Sequence, residues 1–388
     1  MSYKEKIKLP SKFENFTENK KMGFLKMKQL KESGKKVAGV FCTYTPLELV
    51  YAADMIPVSL CATTEDSIKY SEADLPKNLC PLIRSSYGFA VSDTCPYFYF
   101  SDIIIGETTC DGKKKMYELM SDFKNVHIMQ LPQNNTDPIS LKLWINEIYK
   151  LKRVLEENFD VEITDDKLKK AIKDGNEERK NLRKFFELGK LNPSPLSGVT
   201  MSSTQDSFGF NFNRKEKNEM LVKKTQEIYE IWEKEFKNKK ERKPRILITG
   251  CPVGGVREKI LTTIEKAGAD IVAYENCSGV REKLTLIDET IENPIEAIAK
   301  KYLNISCSVM SPNKKRFEDL DMLIDEYQID AVIEIVLQAC HTFAIESTKV
   351  KKFVTEKKHK PYIYIESDYS MNDIGQISTR IEAFLEMI

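Results

Sequence analysis

What most constrains this chain is an alternation of short apolar runs with segments of helical period, in two blocks enclosing a stretch that has no strand-like run. In the first block VAGVFC, IPVSLC, DIIIGETTC and VHIMQLP read as strands, separated by the helical TPLELVYAADM, PLIRSSYGFAVS and DGKKKMYELMSDF. Thr45 is the expected N-cap of the first of these helices, with Pro46 in its first turn. Strands joined by single helices cross over right-handed and lie parallel. From Asp137 to Lys243 the segments LKLWINEIYKLKRVLEENF, DDKLKKAIKDGNEERKNLRKFFELGKL and RKEKNEMLVKKTQEIYEIWEKEF keep helical spacing with dense Lys, Glu and Arg. Both signs are interspersed there, as on solvated helix faces. At Pro244 the strand-like runs return as RILITG, ADIVAYE, KYLNIS, AVIEIVLQA and YIYIES, spaced by VREKILTTIEKAG, NPIEAIAKK and FEDLDMLIDEYQ. The expected fold is therefore α/β, with two Rossmann-like parallel-sheet domains, 1–136 and 244–388, and a helical region, 137–243, between them.

Nine cysteines are too sparse for a small disulfide scaffold and too many for one catalytic thiol. Seven of them, Cys42, Cys61, Cys110, Cys251, Cys277, Cys307 and Cys340, close or follow a strand-like run. In an open parallel sheet those carboxyl ends face the ligand crevice. Cys80 instead opens a helix in NLCPLIRSS, where free N–H groups and the dipole favour a thiolate or a sulfide-bearing anion. Cys95, in SDTCPYF, is expected at the opposite edge. No C-x2-C pair occurs, so zinc ribbons and ferredoxin-type sites are excluded, and the thiols can converge only once the fold has formed. Taken singly, each cysteine reads first as a small buried hydrophobe. Seven at one edge, with three histidines and no grouped carboxylates, point to soft-metal chemistry, above all iron and sulfide.

Lys+Arg 60 against Asp+Glu 59 leaves a net charge of +1, which lacks the basic footprint of a dedicated nucleic-acid binder. The charged start MSYKEKIKLPSKFENFTENKKMGF has no secretory apolar core, and the longest apolar run, AVIEIVLQAC, carries Glu334. The expected compartment is the reducing cytoplasm, without a membrane span, where cysteines serve as ligands, catalysts or buried thiols rather than disulfides.

Other motifs carry weaker signals. TGCPVGG resembles a phosphate-cradling turn but matches no nucleotide-loop pattern; Gly250 and Gly254 read first as tight-turn and packing residues. His341, beside Cys340, is a candidate proton donor or a locally bonded helix-starting residue. His127 reads as a strand residue and His359 as solvated. Glu48 and Arg84 are candidate polar substrate contacts, or equally members of salt bridges. Lys113, Lys114 and Lys115 open a helix directly after Cys110, against the helix dipole, and would suit an anionic cluster or an acidic partner.

The blocks GVFCTYTPLELVYAADMIPVSLC, NLCPLIRSSYGFA, DTCPYFYFSDIIIGETTCDGKKKMYE, ITGCPVGG, YENCSG, ISCSVMSPN and LQACHTFAIES resemble the 2-hydroxyacyl-CoA dehydratase and benzoyl-CoA reductase superfamily, and within it most the double-cubane cluster proteins. The resemblance implies two α/β domains holding an iron-sulfur cluster between them. Dehydratase subunits bind one [4Fe-4S] cubane through three cysteines, which by motif correspond here to Cys80, Cys110 and Cys340. The double-cubane branch carries an [8Fe-9S] cluster with three thiolates per cubane, and Cys42, Cys277 and Cys307 are the expected second set, with Cys61 and Cys251 in reserve. It also implies a homodimer and a separate ATP-hydrolysing iron-sulfur activator as electron donor. The activity so implied is low-potential reduction of a small molecule, with His341 placed to give a proton. The alternatives are a subunit of a radical 2-hydroxyacyl-CoA dehydratase with one cubane, and a non-enzymatic electron carrier.

Overall fold

The computed structural model describes residues 18–209, 211–239 and 242–388. Residues 1–17, on which the expectation of no secretory segment rests, lie outside the described residues. The first unit runs α1 (Glu18–Glu32), β1 (Val37–Val40), α2 (Leu47–Ala52), β2 (Ile56–Ser59), α3 (Pro81–Ser92), α4 (Pro96–Phe100), β3 (Ile103–Glu107), α5 (Asp111–Met120) and β4 (Val126–Met129). Four helices follow: α6 (Pro138–Phe159), α7 (Asp165–Glu187), α8 (Gly198–Gly209) and α9 (Arg214–Glu235). The second unit is β5 (Arg245–Gly250), α10 (Thr262–Lys266), β6 (Asp270–Glu275), α11 (Pro294–Leu303), α12 (Lys314–Glu326), β7 (Ala331–Leu337), α13 (His341–Lys352), β8 (Tyr362–Ser367) and α14 (Ile374–Leu385).

Each unit holds a four-stranded parallel sheet, ordered β2-β1-β3-β4 in the first and β6-β5-β7-β8 in the second. The central strands β1, β3, β5 and β7 are buried at every residue, as mainly apolar runs covered on both faces must be. In both sheets the direction of winding reverses between the two central strands, β1/β3 and β5/β7. Ligands of open α/β sheets bind at the carboxyl side of such a reversal.

Two local expectations are corrected. KYLNIS is not a strand: Tyr302 and Leu303 finish α11, and Ile305 and Ser306 form a loop. The buried set Ile295, Ile298, Ala299, Tyr302 and Leu303 keeps the three-and-four spacing of one helix face through the last turn, so that apolar pair belongs to the helix stripe. Thr45 does not cap α2 either. Pro46 holds the N-cap position and the Thr45 hydroxyl donates to Glu107.

The intervening helices join the two units. A buried network centres on Arg179 of α7, whose Nη2 donates to Glu48 Oε1 of α2 at 2.8 Å and whose Nε donates to Glu282 at 2.7 Å. The Tyr302 hydroxyl donates to the other Glu48 oxygen at 2.8 Å. Gly175, one turn before Arg179, makes this approach possible, since a Cβ there would stand 2.8 Å from Glu48 Oε1. No helix among the described residues is long and apolar enough to cross a membrane.

Candidate metal-cluster site

All nine cysteines are free thiols. Three of them, Cys80, Cys110 and Cys340, occupy the N-cap positions of α3, α5 and α13. Three helix N-termini thus point their free N–H groups and positive dipole ends at one thiol set, a setting that favours bound anions. The set is compact enough for its members to act on one another. Burial pushes Cys80 up to about 12, Cys340 and Cys110 add to the rise, and the Leu82 and Ile83 amides oppose it. Burial likewise raises Cys110, with the Lys113 amide and charge opposing and Cys340 adding. Cys340 lies below the ordinary thiol range, first through the Cys251 thiol and then through the Phe343 amide and the Thr342 hydroxyl. The turn delivering Cys340 is strained, because Ala339 takes a φ of 58° directly before it. Non-glycine residues held in that region cluster at functional sites.

A second set comprises Cys42, Cys277 and Cys307. Burial raises Cys42 well above the usual range, Lys113 opposes, and Glu107, Cys277 and Cys307 add. Cys307 is raised by burial, opposed by Arg281, and feels Cys277 and also Cys340 of the first set. Cys307 was expected at a strand end; it comes instead from the loop after α11, the consequence of KYLNIS not being a strand. Arg281, fully buried, anchors this side: Nε donates to Glu275 at 2.7 Å and Nη1 to Cys277 Sγ at 3.7 Å.

No group of three His, Cys, Asp or Glu among the described residues could hold a single metal ion. A cubane differs in placing each thiolate on its own iron, so its ligands need not crowd one centre. The donor set fits such a group: soft thiols, three at helix N-termini and three on loops, two of these beside the Arg281 guanidinium. Thiols with raised pKa lose their protons on meeting a metal.

The other sequence candidates fall as follows. Cys61 donates to the Phe41 carbonyl, Cys251 lies buried beside Cys340 and accepts from the Leu337 amide at 3.4 Å, and Cys95 caps α4 at the amino edge of the first sheet. His341 is exposed at the first turn of α13, and His359 is exposed as well. His127 lies on β4 with Nε2 buried and without a partner among the described residues, and burial lowers its pKa. Both Glu48 oxygens are engaged by Arg179 and Tyr302, and Arg84 donates to Glu72 and the Lys77 carbonyl. Gly250, at φ 105°, serves a tight turn in which a Cβ would stand 2.2 Å from the Ile335 carbonyl oxygen. Sequence reasoning missed Arg281 and Glu107, since nothing local distinguishes a buried Arg or Glu from a surface one.

Glu107 closes β3 with no exposed surface, one oxygen taking the Thr45 hydroxyl and Oε2 having no partner among the described residues. Burial pushes its pKa up to about 7, against the pull of Thr45 and Lys113. A carboxyl whose folded pKa exceeds its unfolded value of 4.5 holds its proton more tightly in the native state. Stability therefore falls as pH rises from about 4.5 to about 7 and stays lost above. Glu107→Gln should remove that slope, making the metal-free protein more stable than wild type by up to about 3 kcal/mol at pH 8 and little different at pH 4. Urea denaturation at the two pH values measures it, and an unchanged difference would refute the assignment.

Comparison with known proteins gives this geometry its lineage. Residues 42–388 match the family described as 2-hydroxyglutaryl-CoA dehydratase, D-component. The chain is 46% identical over 380 residues, 98% of both chains, to YjiM of Escherichia coli (strain K12), a protein named as a dehydratase subunit. It is 27% identical over 381 residues to the (R)-phenyllactyl-CoA dehydratase beta subunit of Clostridium sporogenes, covering 97% of each. To a benzoyl-CoA reductase subunit of Thauera aromatica it is 24% identical over 368 residues, 92% of each. With two parallel sheets presenting thiols at their carboxyl edges and a match along nearly its whole length, the chain belongs to the 2-hydroxyacyl-CoA dehydratase and benzoyl-CoA reductase family of dehydratase and reductase subunits.

Proposed function

We propose that this protein is an iron-sulfur oxidoreductase that reduces a small molecule at a double-cubane [8Fe-9S] cluster, supplied with electrons by a separate ATP-hydrolysing iron-sulfur activator. What supports the reading is that thiols of both units lie close enough to act on one another: Cys80 with Cys110 and Cys340, and Cys42 with Cys277 and Cys307, with Cys251 beside Cys340 and Cys80, and Cys61 near Cys277, as the reserve ligands. Such a cluster, when bound, supplies electrons singly at low potential. The first triad would hold its cubane from three helix N-termini, and the second from loops braced by Arg281. The surroundings of the cluster at the domain interface would tune its potential and access. Exposed His341 is placed next to a ligand, where it would give a proton to the reduced substrate.

The alternative, a single-cubane dehydratase subunit, draws support from the names of the relatives. Iron and sulfide analysis with EPR on protein prepared without oxygen separates the two. About eight irons per loaded chain are expected, whereas about four, with binding of an acyl-CoA, would assign the dehydratase reading instead.

A further inference from the structure

Of the three lysines that open α5, two face solvent and pair locally: Lys114 with Asp111 at 2.9 Å, and Lys115 with Glu118. Lys113 turns the other way. Its Nζ is 3.4 Å from the Phe41 carbonyl oxygen and 5.9 Å from the centre of the Phe41 ring, and it makes no ion pair with any described residue. Half-buried, its ammonium has no carboxylate at ion-pair distance, although the buried Glu107 carboxyl feels its charge from farther off, and the first turn of a helix is the wrong end for a cation. Its position lies between both thiol sets: Cys110 caps the same helix one turn earlier, and the Phe41 carbonyl that Nζ approaches directly precedes Cys42 and also takes the Cys61 thiol. Lys113 acts on Cys110 and Cys340 of the first set and on Cys42 of the second, and also on Cys61. Arg281, paired with Glu275, acts on Cys277 and Cys307 of the second set alone.

We infer that Lys113 is the common counter-ion of both thiol triads, a positioning residue whose charge stabilises the negative charge of the group they bind. This rests on the cluster reading above. Cubanes with thiolate ligands are anionic and become more so on reduction, so a fixed cation beside them favours the reduced state. Without it the midpoint potential moves to more negative values.

The test compares anaerobically prepared wild type, Lys113→Met, Lys113→Arg and Lys114→Met by iron content and by EPR-monitored redox titration. Expected is a more negative midpoint in Lys113→Met, a midpoint near wild type in Lys113→Arg, and no change in Lys114→Met. Loss of iron in the Met variant alone, rescued by Arg, supports the same role. An unshifted midpoint in Lys113→Met at full iron overturns the inference, as does equal loss of iron in the Met and Arg variants. Should wild type hold no iron, the cluster reading fails, and alkylation of Cys42 and Cys110 in the metal-free chain decides the matter. A counter-ion of thiolates predicts roughly tenfold slower modification at pH 8 in Lys113→Met, restored by Arg. Equal rates overturn it.

Discussion

Cys277→Ser should cut the iron content of anaerobically loaded protein from about eight to about four per chain, and Cys340→Ser should do at least as much, while Cys95→Ser leaves it unchanged. The contrast follows from where the three thiols stand. Cys340 is the N-cap thiol of the first triad, Cys277 is held by the Arg281 guanidinium in the second, and Cys95 caps α4 at the far edge of its sheet. Cys277 is the diagnostic position. A protein with one cubane on Cys80, Cys110 and Cys340 would lose its iron with Cys340→Ser and keep all of it with Cys277→Ser. Full iron in Cys277→Ser would therefore end the double-cubane reading and leave the single-cubane alternative standing.

Arg316→Met should destabilise the metal-free protein by about 3–5 kcal/mol, the range for leaving buried charge unpaired. Arg316, on α12, has no exposed surface. It pairs with Glu275 at 3.2 Å, Glu334 at 3.0 Å and Glu346 at 2.5 Å, and it donates to the Thr249 hydroxyl at 2.9 Å. Removing the guanidinium strands two fully buried carboxylates on strands β6 and β7. Glu334 has a second partner in the Tyr362 hydroxyl at 2.6 Å, and Glu275 keeps Arg281. Those contacts set the lower end of the range. Urea denaturation under reducing, metal-free conditions measures the loss, and a change below about 1 kcal/mol would mean that the network contributes little. Because Glu275 also fixes Arg281, the same variant should loosen the second thiol set, seen as faster alkylation of Cys277.

These residues also show what could be read in advance. Glu334 stands out in AVIEIVLQAC as a charge inside a core strand, but its partner lies on a helix eighteen positions earlier, and no periodicity names it. Eight strands and most of their joining helices were visible because each is specified locally, by apolar run length and by helical spacing; α4 and the full span of α13 were not. KYLNIS misled because Tyr302 and Leu303 satisfy a strand-like run and a helix stripe equally well, and Tyr302 settles the choice by reaching Glu48 of the other unit. Thr45 misled similarly, its hydroxyl taken by Glu107 instead of by the helix it precedes. The two readings offered for Glu48 and Arg84 look identical in sequence, since salt-bridge partners are set by packing.

By itself the sequence determined two parallel α/β units, and it brought most of the thiols to their carboxyl edges, because strand and helix periods are local and a parallel crossover fixes which end of each strand faces the crevice. Tertiary structure alone decided which thiols meet. Strand order puts β1 beside β3 and β5 beside β7, and the docking of one unit on the other brings together thiols from both. It also turned one lysine of three inward. Those outcomes depend on contacts between residues tens to hundreds of positions apart, whose energies come from burial and charge pairing that no local window contains.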